Sequence, residues 1–479
     1  MKGVLDMPTD LSPLLEPNSI AVLGASTSPG KPGNVLFRNI IDGDFPGRLY
    51  PVNPRGAAVE GQKAYANIGD VPDRVDLAFI VLNRKFVLEA VTECAAAGVR
   101  SVCIVTAGFG EGDDWGAEQH RQIAHIVAQS GMLAIGPNTI GTVSMGGRLR
   151  GTFVPFPHWE SGSVAIVAQT GIFTGAVMLD VMQSETQRIG IHASVDIGNR
   201  IGVDELELLE DFALRDEVKV IGLYLEELAN ARSFLARAAE VKKTKPVVIL
   251  KPGRTPAGAQ ASASHTGSLT QDDVVLDHLL AQHGLIRAAD APEFLALLRA
   301  LSFSGVPNGP RVGVVTYSGA LGVIATDELV AEGLALAEVE PQTLDVIQSL
   351  LPDWQTARNP SDLWSAAEAD PEKTMRTGFE AMLADPNVDQ VLAVMLAVPN
   401  IDFKNFGQVF KELRAIHPDT PIHLVCNGSV SAAWIRSVEG LGIPAYGSTR
   451  EAVRVMAATA RYGASRDHVP STHLRSRTL

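Results

Sequence analysis

Three times in this chain a short apolar run, largely β-branched, stops at a glycine-bearing turn and passes into a stretch of helical period, and this constrains the fold more than any other feature. The three are Ala21-Val22-Leu23-Gly24-Ala25-Ser26, Ala165-Ile166-Val167-Ala168-Gln169-Thr170-Gly171 and Val314-Val315-Thr316-Tyr317-Ser318-Gly319. Similar runs at Leu77–Leu82, Val102–Val105, Val218–Leu223, Val247–Leu250, Gln390–Leu396 and Ile422–Val425 are mostly separated by helix-period stretches such as Ala117–Gln129 and Glu293–Leu301. Strands covered on both faces read as continuous apolar runs, and a β-α-β rhythm requires helical crossovers. The expectation is therefore an α/β chain of three doubly wound domains, with parallel sheets covered by helices on both faces. Proline- and glycine-rich connectors at Phe153–Gly162 and Ser302–Pro310 separate the domains, which are set at 1–150, 151–305 and 306–463. The polar tail 464–479 has no apolar period and is expected to be disordered.

The charge balance narrows the partners. There are 40 Lys and Arg against 54 Asp and Glu, a formal net charge of −14, and the cations are scattered singly. Nucleic acid and anionic membrane surfaces are excluded on that ground. No apolar run approaches the roughly 20 residues that span a bilayer, and the N-terminus lacks a basic stretch leading into an apolar signal region, so the cytoplasm is the expected location. The three cysteines, Cys94, Cys103 and Cys426, have neither paired nor metal-ligand spacing. A disulfide framework and a thiolate zinc site both fall away, and no metal site is expected on the chain itself.

The first turn, from Gly24 to Gly33, opens a helix at Asn34, so backbone N–H groups, a positive helix end and Lys31 converge on one point where an anion should bind. A nicotinamide dinucleotide fits poorly. The spacing is not G-x-G-x-x-G, and the second strand leads into Asn53-Pro54-Arg55 with no acid for a ribose 2′-hydroxyl. Arg55 suits a phosphorylated ribose better, while a tight turn without a ligand is the plain structural alternative. Two more small-residue loops, Thr106-Ala107-Gly108-Phe109-Gly110-Glu111 and Gly136-Pro137-Asn138-Thr139-Ile140-Gly141, belong to the same sheet edge and imply a crevice along it.

The segment Leu250–Leu269 follows a buried strand and is too long for a plain turn. Its Ala, Gly, Ser and Thr residues surround a single imidazole, His265, one of 11 histidines in the chain. Neutral imidazole is a competent nucleophile near pH 7. Glu226 and Glu227, after Tyr224 at a strand end, offer a carboxylate to hold the imidazole N–H. The Gln169-Thr170-Gly171 and Tyr317-Ser318-Gly319 turns either cradle phosphate at a helix N-terminus or are ordinary βα turns.

These residues carry a resemblance. The stretch Ser19–Gly33, the T-A-G-F loop and the G-P-N-x-x-G loop resemble the coenzyme A-binding domain of the succinyl-CoA synthetase superfamily, most closely its ADP-forming acyl-CoA synthetases. Lys251-Pro252-Gly253-Arg254-Thr255 followed by Ser264-His265-Thr266-Gly267-Ser268-Leu269 resembles the family's phosphohistidine loop, and Val195–Asp204 its S-x-G-N-x-x-D-V-D loop. Asp196 and Gly202 replace Ser and Asp there, and Thr139 stands where the family usually has Cys.

The resemblance covers about 12–463 and implies a Rossmann-like CoA-binding domain followed by two flavodoxin-like domains of succinyl-CoA-synthetase type. It further implies CoA contacts at Gly24, Ala25, Ser26, Pro29, Gly30, Lys31, Asn53, Pro54, Arg55, Thr106, Ala107, Gly108, Asn138 and Thr139. His265 would carry the phosphoryl group, Glu226 would orient it, and Gln169, Thr170, Gly171, Tyr317, Ser318 and Gly319 would bind phosphate at paired helix ends. The implied reaction interconverts acyl-CoA, phosphate and ADP with a carboxylic acid, CoA and ATP. The covered stretch leaves no room for an ATP-grasp module, so the resemblance implies an α-type subunit in a hetero-oligomer, with ADP or ATP and Mg2+ bound by a β partner. A non-catalytic CoA sensor of the same fold is the alternative, and the Ser-His-Thr-Gly-Ser string argues against it.

Overall fold

The computed structural model describes residues 9–56, 58–155, 161–184, 188–228, 230–266, 272–367, 370–397 and 405–467. The chain forms two compact units, Met1–Gln183 with Gly190–Leu279, and Ser184–Ile189 with Leu280–Leu479.

The first unit opens with β1 (Ser19–Leu23), β2 (Arg48–Val52), β3 (Leu77–Ile80), β4 (Ser101–Ile104) and β5 (Leu133–Ile135). They form one parallel sheet in the order β2-β1-β3-β4-β5. β1, β3 and β4 are buried at every residue, as continuous apolar runs require. The connection from β1 to β2 moves one way across the sheet and that from β2 to β3 returns past β1. The order therefore reverses between β1 and β3, which opens a crevice at their carboxyl ends. The helix Pro32–Asp42 starts on proline and turns Leu36, Phe37 and Ile40 inward.

Next come β6 (Gly141–Ser144), β7 (Leu149–Thr152), β8 (Ser161–Ala168), β9 (Ile191–Asp196), β10 (Val220–Tyr224) and β11 (Val247–Leu250). The second sheet includes, in this order, β11-β10-β8-β9-β6-β7. β8 pairs in parallel with β9 and β10, and β10 with β11. The pair β6 and β7 differs from the expected all-parallel pattern, because it is antiparallel within itself and to β9. Only Met145–Arg148 separate the two strands, enough for a hairpin and too few for a parallel crossover. The chain thus enters the second sheet at Gly141, directly after the G-P-N-T-I loop. Residues 156–160 of the expected connector lie outside the described residues.

The second unit contains β12 (Ile286–Arg287), β13 (Arg311–Thr316), β14 (Ala335–Leu336), β15 (Ser361–Asp362), β16 (Gln390–Leu396), β17 (Ile422–Asn427) and β18 (Ala445–Tyr446). Its sheet runs β14-β13-β16-β17-β18 in parallel, with β15 also on β13. One face packs Phe379, Met382, Phe406, Phe410 and Leu424 into a common core. Arg299 is buried over the Tyr446 ring, 3.1 Å from Glu439 and donating to the Ala445 carbonyl at 2.7 Å. The last helix runs Thr449–Ser465, two residues past the expected boundary, and 468–479 lie outside the described residues.

Candidate functional site

At the switch point of the first sheet the chain leaves β1 through Gly24, whose φ is +93°. A Cβ on Gly24 would stand 2.2 Å from the Val81 carbonyl oxygen, and one on Gly33 would stand 2.2 Å from that of Gly24. Only glycine at both places lets the helix Pro32–Asp42 start this close to the strand end. Asn53 holds the turn from the side, donating to the Ala25 carbonyl at 2.8 Å and accepting the Arg55 N–H at 2.9 Å. Asn34 donates to the Ser26 carbonyl and to Glu60, each at 2.9 Å.

The resulting cleft of about 310 Å³ is lined by Gly24, Ser26, Lys31, Thr106, the Val81–Leu82 segment after β3, and Phe153 among others. Four expected CoA residues thus meet around one space. Pro29, Gly30, Pro54 and Arg55 are exposed beside it, whereas Ala25 is buried. Ala25 and Asn53 shape the turn from within.

The two further loops continue along the sheet edge. Thr106 donates to the Leu82 carbonyl at 2.7 Å, and its own carbonyl accepts the Asn138 N–H at 3.0 Å. Ala107 is exposed, and Gly108 gives its N–H to Glu111, which also accepts from the Phe109 N–H and the Asn199 side chain. Asn138 is exposed with φ +63°. Thr139 lies beneath that loop. It is 3% exposed, and its hydroxyl donates to the Asp196 carbonyl at 2.6 Å while accepting the Gly141 N–H at 2.9 Å. Burial at the start of the hairpin commits that hydroxyl to the backbone.

Sequence reasoning missed Glu111 and Asn199, which tie the first sheet's loops to the second's. A weak signal existed in Glu111, since a carboxylate three residues after Gly108 can reach back to the loop's amides. Asp196 is the second tie. Fully buried, it accepts the Ile140 N–H at 2.8 Å and the Gly198 N–H at 3.1 Å. Burial pushes its carboxyl up to about 7, with the Glu226 charge adding, against the hydrogen bonds that hold it down.

In the turn after β8 the Gln169 side chain is engaged within the protein: its Oε1 accepts the N–H groups of Glu226 at 2.6 Å and Glu227 at 2.9 Å, and its Nε2 donates to the Glu227 carbonyl at 2.9 Å. As a strand-end residue it splices two neighbouring strand exits. Thr170 and Gly171 follow it into a single helical turn, Gly171–Thr174. The paired acids separate cleanly. Glu227 meets Arg200 at 2.9 Å, while Glu226 is 8% exposed and receives the Tyr224 hydroxyl at 3.5 Å. Burial raises the Tyr224 phenol above its ordinary value, with the Glu226 charge adding. His265 falls near the end of the helix Pro256–Thr266, and its side chain lies outside the described residues, as do Gly267–Leu269 of its loop.

In the second unit the Tyr317-Ser318-Gly319 turn shows the same division. Tyr317 is buried and gives its N–H to the Val394 carbonyl at 2.9 Å, at the end of the sheet. Ser318 precedes the 13-residue helix Gly319–Ala331 without capping it through its side chain. Gly319 lines a cavity of about 840 Å³ together with Asn359, Asp362, Trp354 and Trp364, among others.

Comparison with known proteins accounts for this arrangement. Residues 18–145 match the family described as CoA binding domain, 161–301 that described as succinyl-CoA ligase like flavodoxin domain, and 312–470 that described as ligase-CoA domain. Acetate–CoA ligase [ADP-forming] II of Archaeoglobus fulgidus is 36% identical over 461 residues, which are 95% of this chain and 68% of that protein. The α subunit of acetate–CoA ligase [ADP-forming] II of Pyrococcus furiosus is 34% identical over 435 residues, 90% of this chain and 93% of the subunit.

Dinucleotide-forming acetyl-coenzyme A synthetase 1 of Ca. Korarchaeum cryptofilum, solved with phosphate and ADP, superposes with a TM-score of 0.88 at 30% identity. The match covers 95% of this chain and 97% of that one. No helix among the described residues is long and apolar enough to cross a membrane. With three matched segments in order and relatives aligned along nearly their whole α-type length, the chain belongs to the ADP-forming acyl-CoA ligases of the succinyl-CoA ligase superfamily, acid–thiol ligases, as an α-type member.

Proposed function

We infer that this chain carries the CoA-binding and phosphohistidine half of the ligase reaction. Phosphate displaces CoA from acyl-CoA, forming acyl phosphate. His265 then takes the phosphoryl group from the acyl phosphate and releases the carboxylate, and the phosphohistidine passes the group to ADP. In this reading Gly24, Ser26, Lys31 and Arg55 hold the CoA phosphates, Thr106, Ala107, Gly108 and Asn138 line the arm's path, and Glu226 accepts the imidazole N–H opposite the phosphorylated nitrogen. The Thr170–Gly171 and Ser318–Gly319 turns each offer backbone N–H groups to a phosphoryl group. A partner β chain with an ATP-grasp fold binds ADP and Mg2+ and completes a hetero-oligomer in the cytoplasm. The proposed division of labour is 1–150 for CoA, 151–305 for phosphohistidine and 306–463 for the second helix end.

A single observation supports the reading most. The cleft at the β1/β3 switch point is lined as far as Thr106 after β4, whose carbonyl accepts the Asn138 N–H of the loop after β5, and Asp196 accepts the Ile140 N–H of that same loop. In this reading the CoA cleft and the buried Glu226 carboxylate are linked through that loop and Asp196, which feels the Glu226 charge.

The test is chemical. Incubation of the full chain with acetyl-CoA and radiolabelled phosphate should leave an acid-labile, base-stable label and release CoA in at most one equivalent per chain. His265→Asn should abolish the label and leave CoA affinity nearly unchanged, as read by calorimetry. Label that survives His265→Asn overturns the reading.

A further inference from the structure

Asp196 ends β9 fully buried, where loops from the two sheets of the first unit meet, and the phosphoryl transfer above makes no use of it. Its Oδ2 accepts the Ile140 N–H at 2.8 Å and its Oδ1 the Gly198 N–H at 3.1 Å. Its backbone carbonyl accepts the Thr139 hydroxyl at 2.6 Å. From the other side a Cβ on Gly171 would stand 2.5 Å from the Ile140 side chain, so the turn after β8 packs against the same loop. One side chain therefore holds the loop after β5 against the loop after β9. A buried carboxylate costs the fold unless it is hydrogen-bonded, and this one accepts two backbone amides from two different loops.

The loop it holds follows β5, on the same sheet edge as the cleft. The strands β1, β3, β4 and β5 lie side by side, so three strand spacings, about 14 Å, separate the Gly24 turn from the Pro137–Ile140 loop. The Asn138 N–H is bonded to the carbonyl of Thr106, which lines the cleft. A ligand with its phosphates at Gly24–Gly33 and its body along this edge brings its other end to that loop. For CoA that end is the thiol of the pantetheine arm.

We propose that Asp196 is a positioning residue for the thiol arm of coenzyme A, fixing through the Ile140 and Gly198 amides the loop at which the arm ends. The proposal rests on the reading of the crevice as a CoA site. Calorimetry on the full chain tests it with two probes, CoA and 3′-phosphoadenosine 5′-diphosphate, which lacks the arm. Asp196→Asn keeps one acceptor oxygen and Asp196→Ala keeps none. CoA affinity should fall about 5-fold in the Asn variant and about 20-fold in the Ala variant, the range expected for one and two buried amides losing their acceptor.

Affinity for the armless probe should stay within about two-fold in both variants, since its contacts are with the Gly24 turn. That also shows that the variants are folded. Equal loss for both probes marks a general structural role and overturns the proposal, as does unchanged CoA affinity in Asp196→Ala. The unaltered protein separates this from the underlying reading. Binding of neither probe refutes the CoA site, whereas equal binding of both leaves that site standing and removes the arm contact that Asp196 is proposed to position.

Discussion

Glu226 and Glu227 are neighbours in the chain with different surroundings. Gln169 accepts both their backbone amides, which turns one side chain into the buried space under Tyr224 and the other out to Arg200. Glu226→Gln should slow labelling of the chain by acyl-CoA and phosphate about 100-fold, the scale of a positioned catalytic group. Glu227→Gln removes a part-exposed ion pair and should cost at most about 1 kcal/mol of stability, with labelling little changed. Rapid-quench labelling of both variants checks this, and the reverse pattern would make Glu227 the orienting acid.

Asp196 gives the residue scale a pH dependence. Its carboxyl ordinarily titrates at 3.8 and is raised to about 7 by burial first and Glu226 second. A carboxyl raised by folding stabilises the fold fully only below its unfolded value. That contribution is lost as the pH climbs from 3.8 through about 7. Asp196→Asn, which never ionises, should therefore gain stability relative to the parent across that window and level off above it. Denaturant unfolding of both proteins at a series of pH values is the measurement, and a constant difference would contradict the assigned burial effect.

Among the elements, the helix Pro32–Asp42 carries the most specific expectation. Its start is pressed so closely on the Gly24 carbonyl that Gly33→Ala must push the helix off the strand end, because the obstacle is backbone. CoA affinity should drop about 10-fold or more, with a stability loss of about 1–3 kcal/mol from overpacking. Calorimetry and chemical unfolding read the two separately. An unchanged CoA affinity would place the anion elsewhere than at this helix end. The β6–β7 hairpin shows the other way an element acts here. By joining the second sheet directly after the Pro137–Ile140 loop, it ties that loop's far end to β9 and lets Asp196 reach the Ile140 amide.

For the whole molecule, the expectation concerns which ligands act without help. The chain matches nearly the full length of an α subunit and about two thirds of a single-chain relative. With the nucleotide half on a partner chain, as proposed above, ATP labelled at its γ-phosphate should leave no phosphoryl group on this chain alone, and should label it once an ATP-grasp chain of the family is added. Filter-binding after acid and base treatment measures this. Labelling by ATP without a second chain would move the nucleotide site onto this one.

Sequence alone determined the alternation of buried strands and helices, the three glycine-bearing turns and the family signatures around Gly24, Gly136 and His265. These are local in origin: an apolar run of the right length, a glycine where backbone meets backbone, a small-residue loop after a strand. The family resemblance singled out Glu226 of the two acids, but their different environments came only from the tertiary structure. There Gln169, 57 and 58 residues away in sequence, joins a second strand exit, and Arg200 takes Glu227.

The same holds for the partners of Thr139, Gln169 and Tyr317, whose hydrogen bonds go to segments far away in sequence. Tertiary structure likewise turned β6 and β7 antiparallel and set Asp196 between two sheets. Strand pairing and burial join residues far apart in the chain, and no spacing within one loop records which partner will arrive.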